Sequence, residues 1–133
     1  MERTFVDTGA WVALVNQKDH QNVPVGKLVR QWAGRLVTSN HVADEAVTLA
    51  RFRVGHRSAA ALGQNLLDGT PAQLVRLTPE DEAEALRLFR ERPDQRYSFT
   101  DCTSFVLMRR MGIDVALTLD SDFLREGFEV IPS

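Results

Sequence analysis

Residues 112–120 read GIDVALTLD, and they contain a short, largely apolar run, 115–118, between Gly112 and Asp120. A continuous run of this length is typical of a strand that is buried on both faces, as in a parallel sheet. The segment before it, 102–111, is apolar over most of its length and predicts a central helix that ends at Gly112. A helix that leads directly into a buried strand indicates one unit of an α/β fold.

The remaining sequence alternates between short β-prone segments and longer segments in which apolar residues recur at helical spacing. The predicted strands are 4–6, 36–38, 74–77, 115–118 and 128–131. The predicted helices are 8–15, 25–32, 42–50, 58–67, 79–92 and 102–111. Because such strands need crossover connections, we expect a mostly parallel sheet of about five strands with helices on both faces. A length of 133 residues corresponds to a single domain, 1–133.

Several predicted helices begin at residues that favour helix N-termini. Thr8 is the predicted N-cap of the first helix, and Thr100 is that of the last. Ser39 or Asn40 can cap the third. Thr78 is followed by a proline and then by acids, which predicts a well-defined helix start.

The composition is that of an ordinary globular protein, with 44% hydrophobic and 26% charged residues. The net charge is −2, so any surface that binds nucleic acid must be locally basic. Cys102 is the only cysteine, which excludes an internal disulfide and a cysteine zinc cluster and fits a reducing cytoplasm. The N-terminus lacks the pattern of a signal peptide, and no apolar run approaches the ~20 residues of a membrane helix.

Four acidic residues are predicted to meet at one edge of the sheet. Asp7 directly follows the first strand and Asp120 lies just past the fourth, while Glu45 and Asp101 lie near the starts of helices on the same side. Open α/β sheets bind ligands at the carboxyl ends of their strands. Because clustered carboxylates repel each other, a cation is needed to neutralise them, and oxygen ligands without cysteine favour Mg²⁺ or Mn²⁺.

Four segments together resemble the PIN-domain family, specifically its VapC-type toxins. They are FVDTGAW at 5–11, VADEA at 42–46, YSFTDC at 97–102 and GIDVALTLDSDF at 112–123. Each segment alone is weakly specific, but their order and spacing match the family over essentially the whole chain.

This resemblance implies a PIN-like three-layer α/β sandwich and an endoribonuclease that depends on Mg²⁺ or Mn²⁺ and hydrolyses RNA phosphodiester bonds. It also implies a homodimer and a cognate antitoxin protein. The catalytic, metal-binding acids would be Asp7, Glu45, Asp101 and Asp120. Three further residues would support these acids by orienting the carboxylates or water: Thr8, Thr118 and Asp122. Asp122 is an alternative for the fourth acid, and Asp120 is preferred because one residue separates it from Thr118.

Basic residues near two helix ends are candidates for contact with RNA phosphates. They are Arg51, Arg53, Arg57, Arg109 and Arg110. The alternative interpretation is that such arginines only complement the negative ends of helix dipoles.

Two other functions share part of this pattern. A phosphatase or phosphotransfer domain with an aspartate nucleophile would also place an acid at the end of the first strand, as Asp7 does. Known families of that kind need a second acid two residues later, or a neighbouring acid pair, and a lysine late in the chain that holds phosphate. Gly9 occupies the former position, and the only lysines are Lys18 and Lys27. A PIN-like fold that binds without turnover is the second alternative, although none of the four acids is missing.

Overall fold

The computed structural model describes all residues, 1–133, as five strands and seven helices. The strands are β1 (Thr4–Val6), β2 (Leu36–Ser39), β3 (Gln73–Val75), β4 (Val115–Leu117) and β5 (Glu129–Ile131). The helices are α1 (Thr8–Val15), α2 (Asn22–Gln31), α3 (Asn40–Arg53), α4 (His56–Asp68), α5 (Pro79–Glu91), α6 (Phe99–Met111) and α7 (Asp122–Arg125).

All five strands lie in one parallel sheet in the order β3-β2-β1-β4-β5, flanked by the helices in a three-layer sandwich. The predicted fold class is confirmed. The central strand, β1, pairs with β2 and β4, which places Thr4 opposite both Leu36 and Val115. The carboxyl ends of β1 and β4 are therefore adjacent, and the residues that follow them, Asp7 and Thr118, begin the same edge of the sheet.

The core explains why the short strands are stable. Phe5, Ala116 and Leu117 are fully buried because helices cover both faces of the sheet. Trp11 is also fully buried, and its indole N–H donates a 3.1 Å hydrogen bond to Oγ1 of Thr38, so its polar atom is satisfied.

Two of the predicted helix starts are wrong by one or two residues. Asp7, not Thr8, is the N-cap of α1, and Thr8 is its first helical residue. Ser98, not Thr100, caps α6. The Ser98 hydroxyl accepts from the backbone N–H of Asp101 at 3.0 Å, and Oδ2 of Asp101 accepts from the backbone N–H of Ser98 at 2.9 Å, which forms a capping box.

The other helix boundaries lie near their predicted positions, with two differences. Helix α2 begins at Asn22, three residues before its predicted start, and ends at Gln31. Helix α7 was not predicted, because four residues are too few to show a periodicity. None of the seven helices is long and apolar enough to cross a membrane.

Candidate metal centre

A pocket of about 640 Å³ opens at the carboxyl end of the sheet, and the four predicted acids line it together. Asp7 reaches it from the end of β1 and Asp120 from the loop after β4. Glu45 reaches it from the second turn of α3, and Asp101 from the first turn of α6. Sequence-distant carboxylates thus share one solvent-open cavity.

Asp7 is the most deeply buried of the four acids, with 6% of the residue exposed. The hydroxyl of Thr118 donates a 2.9 Å hydrogen bond to its Oδ2. The pKa of Asp7 is raised to about 7, mainly by burial. Hydrogen bonds from the Thr8 backbone and from Thr118 oppose this rise, whereas the charges of Asp101 and Asp120 contribute to it. Without a cation, burial therefore favours the protonated form of Asp7 more than it does for an exposed carboxyl.

Asp101 is held by the α6 capping box, which leaves its other oxygen free for a ligand. Burial raises the pKa of Asp101 to about 6, and the charges of Asp120 and Asp122 add to this effect against the hydrogen bonds from Ser98. The site therefore concentrates negative charge that water alone stabilises poorly.

The loop after β4 brings a further acid to Asp101. Carboxylate oxygens of Asp101, Asp120 and Asp122 lie within 4.8 Å of one another. Asp120 lines the pocket, and its Oδ1 accepts a 2.9 Å hydrogen bond from the backbone N–H of Asp122. The carboxylate of Asp122 is also paired with Arg125 on the next turn. Asp120 is thus the unpaired acid of this loop.

The donor set fits a hard divalent cation. None of the four predicted acids in the pocket forms an ion pair with a lysine, arginine or histidine. Thr8 also lines the pocket, and its Oγ1 is buried without a hydrogen-bond partner in the protein. Buried polar atoms are rarely left unpaired, so this hydroxyl is available to an ion, its water or a substrate.

Four polar residues of the pocket were not identified from the sequence: Asn16, Asp19, Ser98 and Ser121. Asn16 and Asp19 lie in the loop after α1 and line the same cavity. Oδ1 of Asp19 accepts from the backbone N–H of Gln21 at 2.8 Å, so this acid is oriented by its own loop. The length of α1 could have indicated this position. A helix of eight residues is only ~12 Å long, so the loop that follows it stays near the site.

The predicted basic residues are divided between two regions. Arg53, at the end of α3, lines the acid pocket. Arg51 faces a neighbouring groove between α3 and α4, and Arg57 is exposed on α4. Arg109 and Arg110, in the last turn of α6, do not line the pocket and are instead paired with acids.

The sequence matches the PIN domain family over residues 4–129. It is 39% identical over 132 residues to the 23S rRNA-specific endonuclease VapC20 of two strains of Mycobacterium tuberculosis, which covers 96% of this chain and 98% of that protein. It is 27% identical over 125 residues to a VapC ribonuclease of Archaeoglobus fulgidus, which covers 90% of this chain and 78% of that protein.

Two solved structures are similar to this one. The crystal structure of Mycobacterium tuberculosis VapC20, described as a sarcin–ricin loop cleaving toxin, superposes with a TM-score of 0.89 at 35% sequence identity, over 94% of this chain and 95% of that chain. The crystal structure of PAE2754 from Pyrobaculum aerophilum superposes with a TM-score of 0.67 at 20% identity, over 98% of this chain and 90% of that chain, and supports the fold alone.

Proposed function

The chain belongs to the PIN-domain family, and we propose that it is a VapC-type toxin that cleaves RNA as a metal-dependent endoribonuclease. One observation carries the proposal: Asp7, Glu45, Asp101 and Asp120 line a single pocket and none of them has a basic partner. Unpaired carboxylates at this density fit a cation site better than a structural ion-pair network.

We assign the four carboxylates as the groups that hold the cation, with Mg²⁺ or Mn²⁺ as its identity. When bound, such an ion supplies an activated water and neutralises the charge that develops on the phosphate. The supporting chemistry is the oxygen-only donor set, together with the raised pKa values of Asp7 and Asp101.

The remaining pocket residues orient this machinery. Thr118 fixes Oδ2 of Asp7 through its 2.9 Å hydrogen bond, which leaves Oδ1 for the ligand. The same Thr118 oxygen accepts from the backbone N–H of Asp120 at 3.1 Å, so one hydroxyl aligns two acids. The unpartnered hydroxyl of Thr8 is a donor for a substrate oxygen or a water. Arg53 is the basic residue of the pocket and would contact a phosphate.

We propose RNA as the substrate class and 23S ribosomal RNA as the target to examine first. The support is the 39% identity to an enzyme named for that RNA. The exposed Arg51, Arg53 and Arg57 would follow the RNA backbone away from the cleavage point. Arg109 and Arg110 would not belong to this contact surface, because each is already paired with an acid.

Family membership also supports a cognate antitoxin protein and a homodimer as partners, in the cytoplasm where the RNA is found. Neither partner determines the chemistry of the acid pocket. Size-exclusion chromatography with light scattering measures the oligomeric state directly.

The second candidate is a PIN fold that binds RNA without cleaving it. The experiment that separates the two is incubation of purified protein with a mixed RNA pool and with 23S ribosomal RNA, in Mg²⁺, Mn²⁺ or EDTA. We expect cleavage that requires the metal, that is lost in Glu45→Gln and that is kept in Asp44→Asn, since Asp44 is the exposed neighbour on the same helix. RNA binding without cleavage under every metal would favour the binding module.

A further inference from the structure

Outside the pocket, Glu126 is a buried acid whose side chain is 6% exposed and whose carboxylate accepts three hydrogen bonds. Tyr97 Oη donates to Oε2 of Glu126 at 2.8 Å, and Nε of Arg92 donates to the same oxygen at 3.2 Å. Arg109 donates to Oε1 at 3.0 Å and to the Glu126 main-chain carbonyl at 2.8 Å. We call these four residues the Glu126 junction. A carboxylate is buried at low cost only when its oxygens are satisfied, so the junction forms as a unit.

One side of the junction leads to Asp101. Tyr97 directly precedes Ser98, whose backbone N–H and hydroxyl form the capping box with Asp101. The Tyr97 ring also packs edge-on against Phe105 of α6, with ring centroids 5.1 Å apart. Fixing Tyr97 therefore fixes where α6 begins and where the Asp101 carboxylate lies.

The other side leads to the loop after β4. Glu126 is the C-cap of α7, and its backbone N–H donates to the carbonyl of Asp122, the first residue of that helix, at 3.2 Å. The backbone N–H of Asp122 in turn donates to Oδ1 of Asp120. Phe123 of α7 packs edge-on against the same Phe105, at 4.9 Å between centroids.

The junction thus connects the two chain segments that bring Asp101, Asp120 and Asp122 within 4.8 Å of one another. The like charges of these acids push the segments apart, whereas the bonds to Glu126 hold them together. We propose that Glu126 is a positioning residue of the metal site, which acts through Tyr97 and α7 to preorganise these acids for a cation. This inference rests on the proposed function and adds a residue that lines no part of the pocket.

The test compares two buried acid–arginine junctions in the whole chain. Asp81, whose side chain is 4% exposed, accepts two 2.8 Å hydrogen bonds from Arg110 and closes the capping box of α5. It joins α5 to α6 but has no connection to the loop after β4. Glu126→Gln and Asp81→Asn are therefore matched losses of a buried charge, and Tyr97→Phe removes a single hydrogen bond of the Glu126 junction.

Mn²⁺ affinity is measured by calorimetry at pH 8, below the melting temperature of each variant, with the melting temperature recorded by circular dichroism. We expect both charge losses to lower the melting temperature. Only Glu126→Gln should weaken Mn²⁺ binding, by about ten-fold, which is the lower end for groups that orient metal ligands. Asp81→Asn should stay within about two-fold of the wild type, as expected for independent sites. The Mn²⁺ affinity of Tyr97→Phe should lie between those of the two charge-loss variants. This variant also tests the inference if Glu126→Gln does not fold.

Cleavage by Glu126→Gln should recover at saturating Mn²⁺, because the residue itself does not touch the substrate. Wild-type Mn²⁺ affinity in both Glu126→Gln and Tyr97→Phe would overturn the inference and leave Glu126 as a stability residue. A wild-type chain that binds neither Mn²⁺ nor Mg²⁺ would overturn the proposed function itself. This outcome is seen in the wild type alone, so it is distinct from a failure of the inference about Glu126.

Discussion

The hydroxyl of Thr118 donates a 2.9 Å hydrogen bond to Oδ2 of Asp7, across 111 residues of sequence. This bond favours the ionised carboxylate, whereas burial favours the protonated one, and burial is the larger influence on the pKa of Asp7. Thr118 therefore limits how far burial can neutralise an acid that must be charged to hold a cation.

Replacement of Thr118 by valine should raise the pKa of Asp7 further and weaken Mn²⁺ binding at pH 7. The expected loss is roughly 10- to 100-fold, as for other groups that orient metal ligands. Thr118→Ser, which keeps the hydroxyl, should restore most of the affinity. Calorimetric titration of the three proteins measures this, and equal affinity in Thr118→Val and the wild type would remove Thr118 from the site.

Asp7→Asn should lower the cleavage rate by about 100-fold or more, because loss of a metal ligand should cost at least as much activity as loss of a group that orients one. In EDTA at pH 8 the variant should also be more stable than the wild type, by about 4 kcal/mol, because each unit by which the pKa is raised corresponds to ~1.4 kcal/mol. The folded pKa of Asp7, about 7, exceeds its unfolded value, so the protonated form stabilises the fold at low pH and this contribution is lost as pH rises from about 4 to 7.

Urea denaturation at two pH values measures this stability difference. At pH 4, close to the unfolded pKa, Asp7 is protonated in the folded state and the two proteins should differ little. Excess Mn²⁺ at pH 8 should reduce the advantage of the variant, because only the wild type gains the full binding free energy. An Asp7→Asn protein that is less stable than the wild type at pH 8 would contradict this prediction.

The positions of the acids could be predicted because they follow from strand ends. In a parallel sheet, the residues that follow the strands all lie at the carboxyl edge. Asp7 and Asp120 could therefore be placed together from the sequence alone. The N-cap of α6 was harder to predict, because Ser98 and Thr100 are both residues that favour N-caps. Only the hydrogen bonds between Ser98 and Asp101 distinguish them.

Long-range partners could not be predicted in the same way. Nothing local in the sequence marks Glu126 as buried, because its burial depends on side chains 17 to 34 positions away. The same holds for Arg109 and Arg110, which look like free basic residues at a helix end until the fold brings acids to them. Helix propensity and strand periodicity carry no information about such pairs.

Asp120→Asn and Asp122→Asn should differ in their effects on metal binding. Asp120 lines the pocket without a basic partner, whereas Asp122 is paired with Arg125. We expect Asp120→Asn to weaken Mn²⁺ binding by at least ten-fold more than Asp122→Asn does. Calorimetry on both single variants tests the assignment. A larger loss in Asp122→Asn would make Asp122 the fourth acid.

Metal affinity should rise with pH between about 5.5 and 8. Burial raises the pKa of Asp7 to about 7 and that of Asp101 to about 6, so each must lose a proton before it binds a cation. Close to two protons should be released per ion bound below pH 6, and close to none at pH 8. Titration in buffers of different ionisation enthalpy counts these protons. Asp7→Asn should lower the count by about one, and an unchanged count would exclude Asp7 as a titrating ligand.

Arg53 is expected to bind an RNA phosphate through its charge. Arg53→Ala, in an Asp7→Asn background that prevents cleavage, should weaken RNA binding more at 50 mM than at 200 mM salt and reduce the slope of log affinity against log salt by about one. Arg90→Ala is the matched control, since Arg90 is an exposed arginine in the last turn of α5 and lines no part of the pocket. Fluorescence anisotropy with a labelled RNA gives both slopes. An equal loss at the two salt concentrations, or the same loss in Arg90→Ala, would mean that Arg53 makes no specific ionic contact and that RNA approaches the acids from another side.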